Sequence, residues 1–205
     1  MEQKQLDDFS LCIQTLGALF SYDPSDPRVN KLIALFNTSE WLIEWPFTTH
    51  YDCQHIDQLF QSQATQPESL KAAYERLFIG PNALPAPPWG SVYLDKENVL
   101  FGISTLELRA WLRNNQINIE LNSNEPEDHV GLLFLLTAWI IQNKPELLAD
   151  LLEIHFLPWV YRYLEKIQLQ GNCAFYEAVA LLATKTLKHL QKEAQLTPVN
   201  KVLYL

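Results

Sequence analysis

The sequence predicts an all-α protein, a single-domain helical bundle that covers residues 1–205. Of the 205 residues, 48% are hydrophobic and 12% are aromatic, which is enough apolar material to bury a full core. The chain holds only 6 glycines and 12 prolines, whereas a many-stranded sandwich or barrel needs a turn signal about every 8–12 residues. In most segments apolar residues recur at intervals of three and four, which places them on one face of a helix.

Four segments in the first half of the chain carry this helical pattern. Asp26 is a good N-cap residue, and Pro27 after it suits the first position of a helix, where a missing N–H is harmless. Residues 41–47 are too short and aromatic a segment for an assignment. The predicted helices run from about Lys4 to Ser21, from Pro27 onwards, over residues 53–63 and over residues 68–78.

The middle of the chain begins with GPNALPAPP at residues 80–88, whose four prolines cannot continue a helix or a central strand. A rigid loop is therefore expected there. Residues 91–94 alternate briefly between apolar and polar, and we expect them to pair with residues 99–102 as a small hairpin. Ser104 and Glu107 fit a capping box, which predicts that a helix starts at Ser104.

In the second half of the chain, prolines indicate where helices start or break. After a polar loop over residues 114–124, Pro126 is expected at the first position of the most apolar helix, residues 127–142. Pro145 should open the next helix, and Pro158 should kink or split it. Asn172 is expected to cap a last long helix that ends near residue 195.

The charge of the chain argues against nucleic acid as a partner. With 24 acidic and 15 basic side chains the net charge is −9, the wrong sign for binding a phosphate backbone. Between residues 120 and 153 the only base is Lys144, against seven acids: Glu120, Glu125, Glu127, Asp128, Glu146, Asp150 and Glu153. This local negative field favours a cationic ligand, with an ordinary solvated face as the alternative.

Cysteine use and the first residues indicate a protein of the cytoplasm. The 3 cysteines are far apart and form no CxxC pair, so neither a disulfide framework nor a thiolate zinc site is expected. Acidic residues follow Met1 where a secretory signal would carry bases and an apolar stretch. The longest uncharged apolar stretch, residues 130–141, is 12 residues long, short of the ~20 needed to cross a bilayer. We expect no membrane span.

The cluster Glu125-Pro126-Glu127-Asp128-His129 is the best candidate for chemistry. Carboxylates and an imidazole at helical spacing could ligate a metal or share a proton. The alternative function is therefore a metal- or carboxylate-dependent hydrolase that uses Glu125, Asp128 and His129. Acids in a first helical turn are also favoured by the helix dipole without any ligand, and no HExxH, P-loop or GxSxG motif accompanies them. We expect no metal, no cofactor and no enzyme activity.

A binding surface is the remaining candidate, made of a proline-stiffened loop that ends at Trp89 and a negative helix start. Residues 74–95, YERLFIGPNALPAPPWGSVYLD, and residues 125–131, EPEDHVG, resemble the two signature segments of the TorD/DmsD family of cytoplasmic chaperones for molybdoenzyme maturation. The resemblance continues through VLFGISTLELRAWL and FLPWV and covers the whole chain.

The resemblance implies an all-helical domain without catalysis that binds the twin-arginine leader of a molybdoenzyme catalytic subunit of the dimethyl sulfoxide reductase type (DmsA-like). Binding would hold the precursor back from export until its molybdopterin cofactor is inserted. Components of the twin-arginine (Tat) translocase are the further partners that it suggests.

The resemblance also implies which residues contact the leader. Asp128 would be the prime partner of an arginine, since a leader of this kind is cationic at its head and apolar beyond. Tyr74 and Asn82 stand where similar proteins commonly carry Trp, and Tyr74 keeps an aromatic face. In this interpretation Glu125 and Glu127 supply negative field, His129 orients Asp128 or binds leader backbone, Trp89, Leu77 and Phe78 line an apolar groove, and Pro88 belongs to the same site.

Overall fold

The computed structural model describes residues 3–119 and 125–205. Within these ranges every regular element is helical, which confirms the predicted all-α class. The helices are α1 (Gln3–Ser21), α2 (Pro27–Phe36), α3 (Trp41–Glu44), α4 (His50–Ser62), α5 (Leu70–Tyr74), α6 (Gly90–Leu94), α7 (Ile103–Asn114), α8 (Val130–Asn143), α9 (Leu148–Asp150), α10 (Leu157–Gln170) and α11 (Ala174–Glu193). A 3₁₀ turn, Gln63–Thr65, follows α4, and a π-helical turn, Glu75–Ile79, continues α5.

Helices α1 and α8 pack against each other along the centre of the fold, and their close approach depends on glycine. A Cβ added at Gly17 would lie 2.9 Å from the backbone nitrogen of Leu135, and one added at Gly131 would lie 3.0 Å from the backbone nitrogen of Ser21. Around this pair, a single cluster of buried apolar side chains includes Phe20, Phe134 and Tyr163. Helix α8 therefore begins beside the end of α1.

Two local predictions about helix starts are confirmed. The side chain of Asp26 accepts the amide N–H of Arg28 and caps α2, whose first residue is Pro27. Pro145 begins a 3₁₀ turn, Pro145–Leu147, ahead of α9. Pro158 splits the following helix as expected, because α9 runs into a π-helical stretch, Leu151–Phe156, before α10 starts with this proline in its first turn.

The hairpin predicted for residues 91–94 and 99–102 is wrong. Residues 91–94 belong to α6, and the amide of Asp95 donates to the carbonyl of Ser91 at 2.9 Å. The helical start is fixed from elsewhere in the chain, since the amide of Ser91 donates to the carboxylate of Asp128. A brief alternation of residue types could not reveal that long-range cap.

The capping box predicted at Ser104 is also wrong. Helix α7 begins at Ile103, with Gly102 before it, and Ser104 lies inside the first turn. The hydroxyl of Ser104 donates to Oδ2 of Asp95 at 2.8 Å. The carboxylate of Asp95 in the preceding segment thus stabilises this helix start, whereas the predicted box between Ser104 and Glu107 does not form.

Helices α8 and α11 start later than the sequence predicts. Helix α8 begins at Val130 rather than Glu127, because the amide of Val130 donates to the carbonyl of Pro88 and the residues before it pair with the proline-rich loop. Helix α11 is capped at Cys173 rather than Asn172, whose φ is 47°. Of the loop predicted over residues 114–124, the last five residues lie outside the described part of the chain.

Residues 197–205 run along the surface without regular structure and are fixed by main-chain bonds. The amide of Val199 donates to the carbonyl of Glu153, and the amide of Tyr204 donates to the carbonyl of Tyr93, both at 2.9 Å. Over residues 3–119 and 125–205, no helix combines the length and the apolar character needed to cross a membrane.

Candidate functional site

The two signature segments, residues 74–95 and 125–131, meet at the point where α8 begins. The amide of Val130 donates to the carbonyl of Pro88 at 2.7 Å, and the amide of Gly90 donates to the carbonyl of Asp128 at 3.1 Å. Trp89 and His129 thereby form an isolated antiparallel bridge. The proline-stiffened loop and the acidic segment are thus one structural unit, although they are far apart in the sequence.

Asp128 lies inside this unit and is only 3% exposed. Its Oδ2 accepts the amide of Ser91 at 2.6 Å and the hydroxyl of Thr105, in α7, at 3.0 Å. Its Oδ1 is buried and makes no hydrogen bond with the described residues. Burial raises the pKa of Asp128 above its ordinary value, although these hydrogen bonds act to lower it. As folded, the carboxylate joins α6, α7 and the start of α8, and it is not presented to solvent.

His129 is the N-cap residue of α8, and its side chain caps the first turn of this helix. Its Nδ1 accepts the amide of Gly131 at 3.2 Å, which satisfies one of the free N–H groups of the first turn. The side chain is 7% exposed, and burial lowers its pKa to about 4. The imidazole is therefore neutral near pH 7, as an acceptor at Nδ1 must be.

Trp89 and Glu125 form the outer edge of the unit, and both are half-buried. The indole Nε1 of Trp89 donates to Oε1 of Glu125. The Trp89 ring also packs edge-on to His129, with centroids 6.3 Å apart. This hydrogen bond fixes the carboxylate of Glu125 at the surface and leaves its second oxygen outside the contact.

Glu127, next along the segment, has a cationic partner already. The Nε of Arg109, in α7, donates to Oε2 of Glu127 at 2.6 Å. The Glu127 side chain is 18% exposed and that of Arg109 is 33% exposed. Glu127 therefore ties the acidic segment to α7 and contributes less free negative charge to the surface than Glu125.

Tyr74 is buried and lies within the field of Glu125 and of two further carboxylates. It is 6% exposed, and its hydroxyl donates to the carbonyl of Ser21 at 3.1 Å. Burial raises the pKa of Tyr74 to about 12, with added contributions from the negative charges of Asp23, Glu125 and Asp26. Asp23 and Asp26 follow α1 in the chain and Glu125 begins the second signature segment; we call these three acids, whose charges all act on Tyr74, the acidic rim.

Both aspartates of the acidic rim are held in the ionised form. The amide and hydroxyl of Ser25 donate to Oδ1 of Asp23 at 2.8 and 2.5 Å, and they lower its pKa. Arg28 donates to both carboxylate oxygens of Asp26, through Nε at 2.9 Å and a terminal nitrogen at 2.6 Å, and lowers the Asp26 pKa to about 2. Neither aspartate carries a functional signal in the sequence, because Asp23 stands at a helix stop and Asp26 at a helix cap.

The remaining predicted contact residues lie beneath the surface. Leu77 is 0% exposed and Phe78 is 4% exposed, and Pro88 is also buried. Phe78 packs on Tyr176 at 5.0 Å between ring centroids and on Tyr74 at 4.9 Å. As folded, Phe78 packs beneath Tyr74, and both Leu77 and Phe78 belong to the core and do not line an open groove. Asn82, in the proline-rich loop, is exposed.

The geometry gives no support to a hydrolytic centre at Glu125, Asp128 and His129. Each side chain is engaged with a different partner: the Trp89 indole, the Ser91 amide with Thr105, and the Gly131 amide. Across the described ranges, no group of three or more His, Cys, Asp or Glu side chains is placed to hold a metal ion.

Comparison with known proteins places the same two segments in a family. A family model described as "Nitrate reductase delta subunit" matches residues 47–165, which include both signature segments. The Tat proofreading chaperone DmsD of Salmonella typhimurium is 41% identical over 201 residues, which cover 98% of this chain and 97% of the relative. The chain belongs to the TorD/DmsD family.

Other members of the TorD/DmsD family match at different distances. The probable Tat proofreading chaperone DmsD of Haemophilus influenzae is 42% identical over 193 residues, which cover 92% of this chain and 93% of the relative. The chaperone protein TorD of Ferrimonas balearica is 29% identical over 127 residues, which cover 60% and 58% of the two chains. These matches confirm the resemblance inferred from the signature segments.

A solved structure supports the fold independently. A crystal structure assigned as a redox enzyme maturation protein from Archaeoglobus fulgidus superposes with a TM-score of 0.53 at 22% identity. The superposition covers 90% of this chain and 93% of the other. At this level of identity the likeness concerns the helical architecture alone.

Proposed function

We propose that this chain binds the twin-arginine leader of a molybdoenzyme precursor in the cytoplasm, as one helical domain over residues 1–205. It then holds the precursor back from export until the cofactor is inserted, and it catalyses no reaction. Relatives at 41–42% identity named Tat proofreading chaperone DmsD support this role. The client we propose is of the dimethyl sulfoxide reductase type (DmsA-like), as the resemblance of the signature segments implies, with components of the Tat translocase as later partners.

The acidic rim is the observation that carries the proposal. A guanidinium binds best to a carboxylate through two parallel hydrogen bonds. Glu125 can accept both, because Oε1 takes only the Trp89 indole N–H and keeps a second lone pair. Asp23 offers Oδ2 alone, since its Oδ1 already accepts two hydrogen bonds from Ser25. Arg28 already shows this chemistry within the chain, because it donates to both oxygens of Asp26 and lies 3.5 Å above the Tyr22 ring. A leader arginine would bind beside it in the same way.

In this proposal Asp128 and His129 are positioning residues. Asp128 joins α6 and α7 to the second signature segment, and His129 caps α8. Together they fix the backbone on which Trp89 and Glu125 stand. Loss of either side chain would weaken leader binding by displacing that edge, with no direct contact to the leader.

Calorimetric titration with twin-arginine leader peptides tests the proposal. An Arg-Arg leader should bind, and the same leader with Lys-Lys should bind markedly more weakly, because an ammonium cannot make the two parallel hydrogen bonds. Equal affinity for the two leaders would show that only bulk charge and apolar burial matter. Absence of binding to any leader would refute the proposed function.

A further inference from the structure

The outer face of α8 carries an apolar stripe that the core does not cover. Leu132, Leu135 and Trp139 follow one another at helical spacing; the two leucines are half-buried, and Trp139 is 41% exposed. Most of α8 is buried, which makes this stripe the exception along the helix. An exposed indole on a soluble protein often marks an interaction surface.

This stripe forms one wall of a groove of about 350 Å³. Ile117 and Ile119 from the segment after α7, and Tyr22 from the residues after α1, also line it. Pockets that bury a ligand have volumes of about 300–1,000 Å³, so the groove has room for a few side chains of a bound segment.

The groove is continuous with the acidic rim. Tyr22 lines the groove and directly precedes Asp23, while the guanidinium of Arg28 lies over the Tyr22 ring and pairs with Asp26. A segment that crosses Tyr22 therefore meets negative charge on one side and apolar surface on the other. A twin-arginine leader has a cationic head followed by an apolar stretch, so its two parts match the two parts of this surface in order.

We propose that this α8 groove holds the apolar stretch of the leader whose arginine pair binds the acidic rim. The inference rests on the proposed function and adds a second subsite to it. It also moves the apolar contact away from Leu77 and Phe78, which are buried in the core. Trp139 at the far end of the groove is the expected anchor.

Two leaders and three variants test the α8 groove by calorimetry. The first leader is complete, and in the second the apolar stretch is replaced by serines while the arginine pair is kept. Trp139→Ala and Leu132→Ser remove groove contacts at half-buried or exposed positions. Leu169→Ala, at a side chain that is 72% exposed on α10, is the matched control.

Trp139→Ala should weaken binding of the complete leader by about 5- to 30-fold, as expected for loss of an aromatic anchor. It should leave the affinity for the serine leader unchanged. The Leu169→Ala control should bind both leaders like the wild type. Leu132→Ser should act in the same direction, and it replaces Trp139→Ala as the test if that variant does not fold. If the groove variants lower the affinity for both leaders equally, or for neither, the assignment of the groove to the apolar stretch is wrong, although the protein still binds leaders. If the wild type binds neither leader, the proposed function fails and the groove with it.

Discussion

The amide of Ser91 donates to Oδ2 of Asp128 at 2.6 Å, and this bond joins two segments that are 37 residues apart. Thr105 donates to the same oxygen, so one buried carboxylate holds α6, α7 and the start of α8. The most obvious acid for a guanidinium is therefore occupied within the fold. Glu125, half-buried at the outer edge of the same unit, is instead the acid that we propose for contact with a leader arginine.

Asp128→Asn should fold, whereas Asp128→Ala should lose stability. The amide oxygen of Asn can accept from Ser91 and Thr105, but Ala leaves both donors buried without a partner, at about 1–3 kcal/mol each. Because the pKa of Asp128 is raised in the fold, the folded chain holds this proton more tightly than the unfolded chain does. The stability that comes from this difference is present at low pH and is lost as the pH rises above the usual carboxyl range. Thermal melting at pH 7 should therefore find Asp128→Asn at least as stable as the wild type.

Leader titration of Asp128→Asn separates a positioning role of Asp128 from direct contact with the leader. A folded Asp128→Asn variant that keeps leader affinity supports the role of Asp128 as a positioning residue. A folded Asp128→Asn variant that loses affinity by the ~10- to 150-fold of a charge-assisted hydrogen bond would make Asp128 a direct partner of arginine.

His129→Asn should remove one source of acid sensitivity. The pKa of His129 falls from an ordinary 6.5 to about 4 in the fold, so between these values the unfolded chain binds a proton that the folded chain does not. Wild-type stability should therefore fall as pH drops through this window, by roughly 3 kcal/mol at most. Asn is a good N-cap and does not titrate.

Urea unfolding at several pH values between 4 and 7 measures this contribution. The difference between the wild type and His129→Asn should grow steadily as the pH falls. His155, whose pKa is also lowered to about 4, is present in both proteins and cancels in the comparison. Parallel stability curves would show that His129 is protonated equally in the folded and unfolded chains.

Helical periodicity and capping residues predicted most of the fold because they are local signals. The pattern of apolar residues placed α1 and α2 nearly to the residue, and Asp26 with Pro27 fixed the start of α2. The errors at α6, α7 and α8 have one cause: partners distant in sequence or in another segment, such as Asp128 for Ser91, satisfy those helix starts. A single sequence carries no signal for such partners.

The geometry of the candidate site was predicted in part. The two signature segments do meet, but the sequence could not show that Leu77, Phe78 and Asp128 face inward. A Leu or Phe in an apolar helix has the same pattern in a core as in a groove. Likewise, Asp23 follows α1 as part of a helix stop in the sequence, and only the fold brings its charge to act on Tyr74, as the charge of Glu125 also does.

Gly131→Ala should destabilise the fold although Ala favours helices. The added Cβ would collide with Oγ of Ser21 and lie 3.0 Å from the backbone nitrogen of Ser21, and such overpacking costs about 1–3 kcal/mol. Ser21 Oγ makes no hydrogen bond among the described residues, so Ser21→Gly opens space without leaving a partner unpaired. In a double-mutant cycle measured by urea unfolding, the pair should be more stable than the sum of the single changes predicts. Additive effects would mean that the two helices do not meet there.

Glu125→Gln is the most direct test of the acidic rim, because it removes a charge and keeps a shape. The Gln oxygen can still accept from the indole of Trp89, so the edge of the site should stay in place and thermal melting should change little. Leader affinity should fall by about 10- to 150-fold, since a charge-assisted hydrogen bond to a guanidinium is lost. Glu165→Gln, which removes an exposed carboxylate paired with Arg162 on α10, is the control and should bind leader like the wild type. If both variants lose leader affinity equally, the loss comes from the change in net charge. If both keep the affinity of the wild type, the arginine pair binds away from Glu125.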